Sequence, residues 1–115
     1  MTTPITWADF EKVDIRVGTI TKVEVNEKAI KPAYKIWVDL GPQLGVRQSS
    51  AQLVALYTKE ALIGRQVICV TNFPPKKIAG FTSEILVTGI YNAEGAVVLV
   101  SPDPKYLVPN GLKLV

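Results

Sequence analysis

Apolar residues recur at every second position along several stretches of this chain, and this pattern restricts the fold more than any other feature. Such alternation is typical of β-strands that bury one face, because successive side chains point to opposite sides of a strand. Tyr34, Ile36 and Val38 are an example. The strand-like stretches are 13–25, 34–40, 46–50, 67–71, 85–90 and 96–100. The sequence therefore predicts a mostly β protein.

One stretch breaks this pattern. Residues 51–63 space their apolar side chains as one helix or two short helices do, with Thr58 as a candidate cap and Gly64 as a stop. The chain therefore has three strands, a helix and then two or three further strands. This is the order of elements in a five-stranded Greek-key barrel of the OB-fold type. The order of elements alone leaves a small β-sandwich or another β-barrel open.

Three local signals predict where elements begin and turn. Thr6 precedes Asp9 by three residues, as at the start of a short capped helix. The apolar positions of the first strand change parity after Gly18, which predicts a bulge at this glycine. Residues 92–95 are typical of a hairpin turn.

The composition removes the residues that several common kinds of chemistry need. The chain has no histidine and one cysteine, Cys69, so it lacks the usual general base and the ligands of a standard zinc site. We therefore expect no catalytic residue, no metal and no cofactor. The lone cysteine favours a reducing cytoplasm, and no segment predicts export or membrane insertion. A net charge of +3 permits an anionic partner without demanding one.

Two blocks of sequence carry a resemblance to a known family. The first combines residues 14–18, DIRVG, with residues 49–52, SSAQ, and the second is residues 72–84, NFPPKKIAGFTSE. Together with residues 31–35 and 108–111, these blocks resemble the tRNA-binding domain family, and within it the CsaA secretion-chaperone branch. The resemblance extends over nearly the whole chain.

The chain also departs from the commoner family pattern. Lys76 and Lys77 stand where an arginine pair is usual, and Thr82 stands where a lysine is frequent. Lysine lacks the planar fork of arginine, and threonine carries no charge. Both departures weaken the expectation of nucleic-acid binding.

The resemblance implies an all-β, five-stranded OB-fold barrel that forms one domain over residues 1–115. It implies that arms at 1–12 and 101–115 build a homodimer, and that the domain has no catalytic activity. An apolar fraction of 48% exceeds what a lone domain of this size needs, which also favours a buried subunit interface.

The resemblance places a ligand cleft between the two blocks. Pro74 and Pro75 fix backbone torsions and cannot join a ladder, so they predict a stiff, exposed loop that presents the lysines after it. Phe81, next to a glycine, is preferred to Phe73 as the ring that faces the ligand. The predicted binding residues are Arg16, Ser49, Ser50, Gln52, Asn72, Pro74, Pro75, Lys76, Lys77, Phe81, Ser83 and Glu84.

Several of these residues also have an interpretation in which they serve the structure and bind no ligand. The proline segment also fits a rigid surface loop, the lysines fit solvated charge, and Arg16 fits a structural pair with Asp14 or Glu24. Trp7 and Trp37 suit packing or dimer contacts better than base stacking.

The resemblance implies one function and leaves an alternative. The first is a homodimeric, export-related chaperone for unfolded or precursor polypeptides that also binds tRNA or other structured RNA. The alternative is a free-standing, structure-specific tRNA-binding protein that acts with an aminoacyl-tRNA synthetase. Phosphate-driven binding weakens steeply as salt rises, whereas apolar capture of peptides does not, so salt distinguishes the two.

Overall fold

The computed structural model describes residues 2–115, which form nine strands and three short helices. In chain order these are α1 (Trp7–Glu11), β1 (Ile15–Val25), β2 (Tyr34–Asp39), α2 (Gly41–Leu44), β3 (Val46–Ala51), α3 (Lys59–Leu62), β4 (Gln66–Val70), β5 (Lys76–Ile78), β6 (Phe81–Ser83), β7 (Leu86–Val87), β8 (Gly89–Tyr91) and β9 (Val97–Leu99).

The longest strand, β1, organises the main sheet because its two halves pair with different neighbours. Residues 19–25 pair with β2 and residues 15–19 pair with β4, in both cases antiparallel. Strand β3 extends the sheet beside β2, and β7 extends it beside β4. A strand shared between two halves of a barrel must bend, and the register shifts between Ile20 and Lys22.

The bulge predicted at Gly18 is therefore wrong, because this residue pairs regularly with Val67. Gly18 is instead required by close packing. A Cβ atom built on it would lie 2.5 Å from Val38 Cγ1 and 2.9 Å from the backbone oxygen of Asp39. A side chain at this position would push β1 away from β2.

The sheet curls into a nearly closed barrel through residues 81–87. The first part of this segment lies beside β3, where the backbone N–H of Glu84 donates to the oxygen of Gln48 at 2.8 Å. Its last part, β7, pairs with β4. With α3 between β3 and β4, the arrangement confirms the predicted all-β, five-stranded OB-type barrel and its helix.

The barrel encloses an aliphatic core. Its side chains come from alternate positions of the strands and from α3, as the period-two pattern predicts. Each fully buried aliphatic side chain contributes roughly 1.5 to 3 kcal/mol relative to exposure. The aliphatic residues without exposed surface are Ile20, Ile36, Val38, Leu40, Leu62 and Val67.

Both predicted helix caps are present, and of the one helix or two short helices predicted over 51–63 a single short helix, α3, is formed. The Thr6 hydroxyl accepts from the N–H of Asp9, whose carboxylate accepts from the N–H of Thr6 in return. The Thr58 hydroxyl accepts from the N–H of Ala61 and so caps α3, but residues 54–56 form turns. Tyr57 explains the difference, because its backbone oxygen and hydroxyl bind other parts of the barrel.

The three helices are all short. Within residues 2–115, no helix has the length and apolar character to cross a membrane.

The hairpin predicted at residues 92–95 is present and joins β8 to β9. The N–H of Asn92 donates to the oxygen of Ala96 at 2.8 Å, and its side-chain oxygen accepts from the N–H groups of Glu94 and Ala96. An asparagine in this role stabilises a turn through its own backbone.

The C-terminal residues cover the part of β1 that β2 does not reach. The N–H of Val17 donates to Leu112, and the N–H groups of Gly111 and Leu114 donate to Val17 and Ile15, at 2.8 to 3.0 Å. These bonds satisfy an edge that would otherwise be open to another strand. The end of the chain is therefore fixed to its own barrel.

Candidate functional site

The site is built on the hairpin formed by β5 and β6. Ile78 pairs with Phe81, so the loop contains only two residues, Ala79 and Gly80. Both have positive φ angles, 49° and 77°, as a type I′ turn requires. This turn carries the chain back along itself and holds Lys76 opposite Ser83.

Polar groups fix the hairpin against β3. The Ser83 hydroxyl accepts from the N–H of Ser50 at 3.1 Å, and the Gln48 side chain donates to the oxygen of Thr82 at 2.7 Å. The Glu84 carboxylate accepts from the N–H of Gln48 at 3.1 Å. The predicted serine and glutamate side chains therefore connect the two blocks of sequence.

An open groove of about 530 Å³ lies between this hairpin, the end of β3 and the proline segment. This volume is within the range of pockets that bind small ligands. The predicted site residues that line the groove are Ser49, Ser50, Pro74, Pro75, Lys76, Ser83 and Glu84. The structure thus brings Ser49 and Ser50 of the first block and part of the second block to one surface.

Apolar side chains that were not predicted form much of the groove wall. They are Phe73, Ile78, Ile85 and Leu86. Phe73 is 54% exposed and Leu86 48% exposed, so both present apolar surface to a ligand. The sequence signal for this apolar wall was Ile78, which follows two lysines. An apolar residue on a hairpin with a two-residue loop has little core to enter.

Arg16 lies outside the groove, in a structural cluster. Its guanidinium donates to the Asp14 carboxylate at 3.0 Å, to the Gln43 side chain at 3.1 Å and to the oxygen of Gly111 at 3.3 Å. Only 9% of Arg16 is exposed. This residue therefore ties the barrel to the C-terminal arm, as the structural interpretation of the sequence anticipated.

The Asp14 carboxylate is the centre of this cluster. Burial alone would raise its pKa, but hydrogen bonds from Arg16 and the Thr71 hydroxyl outweigh burial and lower the pKa below its usual value. The ionised carboxylate is therefore the form that the folded protein favours.

Four other predicted residues also lie outside the groove. The Asn72 amide donates to Lys12 and accepts from the N–H of Asp14, so it anchors the segment before β1. Gln52 lines a separate cavity with Tyr91. Lys77 follows Lys76 on the hairpin and therefore points to the alternate face.

Phe81 is the fourth. It is buried and packs edge-on against Trp37, with ring centroids 5.6 Å apart. The aromatic ring in the groove is Phe73, the one that the sequence favoured less. The first and third residues of β6, Phe81 and Ser83, are buried and Thr82 is exposed, which the polarity of these three residues does not indicate in the sequence.

The groove holds hydroxyl groups that are already paired with protein atoms. Ser49 donates to the oxygen of Ser50, and the Ser83 hydroxyl lies 3.3 Å from the oxygen of Ile85.

The one cysteine lies in the core, away from the groove. Burial raises the pKa of the Cys69 thiol to about 12, which keeps it protonated and unreactive. Across residues 2–115, no group of three potential metal ligands comes together.

Fold and groove together define a small OB-type binding domain. Residues 15–111 match the family described as "Putative tRNA binding domain", and the chain belongs to this family. The family is a binding domain rather than a catalytic one.

Known proteins of two kinds are similar to the chain. Methionine--tRNA ligase of Chloroherpeton thalassium is 35% identical over 109 residues, which are 95% of this chain but 15% of that enzyme. The chaperone CsaA of Bacillus anthracis is 43% identical with a TM-score of 0.89, and the match covers 98% of this chain and all of that one. The CsaA chaperone protein of Picrophilus torridus is 46% identical, with a TM-score of 0.88 and coverages of 97% and 100%.

Proposed function

We propose that the chain is a CsaA-like binding protein that holds unfolded or precursor polypeptides in the groove and acts as an export-related chaperone. The observation that carries this proposal is the composition of the groove. Its walls are largely apolar and open to solvent, the Ser49 and Ser83 hydroxyls are already paired within the protein, and Lys76 lies exposed at its rim. Such a surface favours apolar side chains of varied shape over one small polar ligand.

The edge of β5 supports an extended peptide as the ligand. In the part of the chain that the structure describes, β5 pairs with β6 alone, so its other edge is unpaired. A peptide can add to such an edge through backbone hydrogen bonds while its alternate side chains enter the groove. The backbone bonds would supply affinity for many sequences.

The two chaperone structures are similar to this chain over their whole length, which supports the same proposal. The second candidate is a free-standing, structure-specific tRNA-binding protein that acts with an aminoacyl-tRNA synthetase. The family description and the methionine--tRNA ligase relatives favour it. Because the chain spans about 15% of such a relative, the activity of the whole ligase is not part of this candidate.

We also propose a single domain over residues 1–115 whose arms, 1–12 and 101–115, form a homodimer in the cytoplasm. Both arms carry exposed apolar surface: Trp7 is 64% exposed and Leu107 is 98% exposed. A cavity between α1 and the chain end is lined by Trp7, Phe10 and Leu114. Sedimentation equilibrium at micromolar concentration should give twice the chain mass, and a monomer would contradict the arm interface.

The groove is tested by Leu86→Asp, which places a charge on its apolar wall. Ile90→Asp is the matched control, since Ile90 is also an exposed aliphatic residue on a strand, at 67% against 48% for Leu86, but does not line the groove. We expect Leu86→Asp to weaken binding of a fluorescent unfolded peptide roughly tenfold, the cost of one lost apolar contact. Ile90→Asp should bind as the unmodified protein does, and equal losses would reject the groove.

A further inference from the structure

The free edge of β5 presents the backbone N–H and C=O of one residue, Lys77. In a hairpin with a two-residue loop, the pair that closes the loop exchanges both backbone hydrogen bonds, and here this pair is Ile78 and Phe81. Bonded and non-bonded pairs alternate along an antiparallel ladder, so the next pair, Lys77 and Thr82, exchanges none. The N–H and C=O of Lys77 therefore point away from β6.

These two backbone groups are accessible to a ligand. Within residues 2–115 they form no hydrogen bond to another part of the protein, and Lys77 is exposed. The positions two residues away on either side cannot offer a second such pair. Pro75 has no N–H, and Ala79, with a φ of 49°, belongs to the turn. One ligand residue can therefore exchange both hydrogen bonds with this edge.

The side chains on either side of Lys77 face the groove. Lys76 and Ile78 line it, whereas Lys77 does not. Residues opposite each other in an antiparallel pair place their side chains on the same face of the sheet. A ligand residue opposite Lys77 would thus turn its side chain away from the groove, and its two neighbours would turn theirs into it.

Both neighbouring positions suit an apolar side chain. One lies opposite Ile78, which is 37% exposed. The other lies opposite Lys76, whose aliphatic stem can cover an apolar side chain while its ammonium group stays in water. Phe73 and Leu86 present further apolar surface on the groove wall.

We propose that the groove selects extended polypeptide segments in which two apolar residues flank one central residue, whose backbone exchanges both hydrogen bonds with Lys77 in an antiparallel pair. The proposal rests on the polypeptide binding proposed above and specifies which segments bind. The central residue can have any side chain, but it cannot be proline, which has no N–H. A helical segment is excluded, because its backbone N–H and C=O groups are bonded within the helix.

N-methylated peptides test these hydrogen bonds without changing the protein. The probe is a short fluorescent peptide of serine and threonine with Leu-Thr-Leu at its centre. N-methylation of the central threonine removes the N–H that the Lys77 oxygen accepts, and should weaken binding roughly tenfold. N-methylation of the second leucine is the matched control. It should leave the affinity unchanged, because the N–H of a flanking residue points away from β5.

Two variants of Lys77 test the same bonds from the side of the protein. Lys77→Pro removes the N–H at the free edge without removing a bond between β5 and β6, whereas Lys77→Ala keeps this N–H and removes only the charged side chain. Lys77→Pro should therefore bind the Leu-Thr-Leu peptide roughly fivefold more weakly than Lys77→Ala does. If circular dichroism shows that Lys77→Pro does not fold, the N-methylated peptides decide alone.

Equal affinities of the two N-methylated peptides would overturn the pairing with Lys77, even if Leu86→Asp still weakened binding of the unfolded peptide. A greater loss on N-methylation of the flanking leucine would overturn it as well. If the unmodified protein bound neither the Leu-Thr-Leu peptide nor the unfolded peptide, the proposed polypeptide binding itself would be wrong.

Discussion

Two segments that resemble the same family, the first block at 14–18 and the second block at 72–84, use their basic side chains in opposite ways. In the block at 14–18, Arg16 is 9% exposed, and its guanidinium is held by Asp14, Gln43 and Gly111. In the block at 72–84, Lys76 is exposed at the rim of an open groove. The first block holds the chain end in place, and the second presents a surface.

This difference shows what decides the role of a charged residue. A guanidinium near the core is stable only if carboxylate, amide and backbone oxygens surround it, and the C-terminal arm supplies one of them through Gly111. A hairpin of two short strands has no such partners to offer. Its charges must stay in solvent, where they are available to a ligand.

The largest expected effect follows from removing the guanidinium of the first block. Arg16→Ala leaves the partly buried Asp14 carboxylate without its main partner, so it should lower the free energy of unfolding by about 3 kcal/mol. Lys76→Ala should change it by less than about 0.5 kcal/mol. Urea unfolding followed by circular dichroism measures both, and equal effects would remove the contrast between the blocks.

A smaller loss is expected from Gly18→Ala, at the end of the same block. The added methyl group would overlap Val38 and the backbone of Asp39, and overpacking of this kind costs about 2 kcal/mol. The double variant with Val38→Ala should cost less than the sum of the two single changes, because it removes one of the overlapping groups. Additive losses would show that Gly18 acts through something other than this contact.

The fold was predictable because its signals are local and repeated. Alternation along β2, the Thr6 and Thr58 caps and the Asn92 turn each depend on a few neighbouring residues. The bulge was misplaced because Gly18 is required by a contact with another strand, which one strand's pattern cannot reveal. The same holds for residues 54–56, whose turns are fixed by Tyr57 contacts across the barrel.

The groove was predictable only in its polar part. Ser50, Lys76 and Ser83 lie within the resembling blocks, and the structure brings them together. The apolar wall was missed because an exposed leucine or phenylalanine has the same sequence signature as a buried one. Whether Phe73 or Phe81 enters the groove depends on how the hairpin lies on β3, which involves contacts between distant parts of the chain.

A third prediction uses pH to separate the blocks. The pKa of Asp14 is lowered in the folded state, so its contribution to stability is present above its unfolded pKa of about 3.9 and is lost as pH falls through the lower folded value. Asp14→Asn should therefore be much less stable than the unmodified protein at pH 7, with a gap that narrows below about pH 4. A gap independent of pH would contradict this assignment. Thermal unfolding of both proteins between pH 2 and 7 measures it, and titration of Asp9 cancels in the comparison.

The smallest effect is expected in the hairpin, where backbone conformation replaces buried charge as the organising factor. Ala79 has a φ of 49°, which costs a residue with a Cβ roughly 1 to 2 kcal/mol. Ala79→Gly removes this strain, but it also raises the conformational entropy of the unfolded chain, which lowers stability by about 0.5 to 1 kcal/mol. We therefore expect a net gain of about 0.5 kcal/mol in urea unfolding.

The neighbouring residue provides the opposite test. Gly80 has a φ of 77° and space for a Cβ, so Gly80→Ala should destabilise the protein through conformation alone, by about 1 kcal/mol. Opposite signs at adjacent positions would show that a left-handed two-residue turn fixes the hairpin. If both changes destabilise the protein, contacts of the Ala79 methyl group stabilise the hairpin instead, and its rigidity would arise from packing as in the first block.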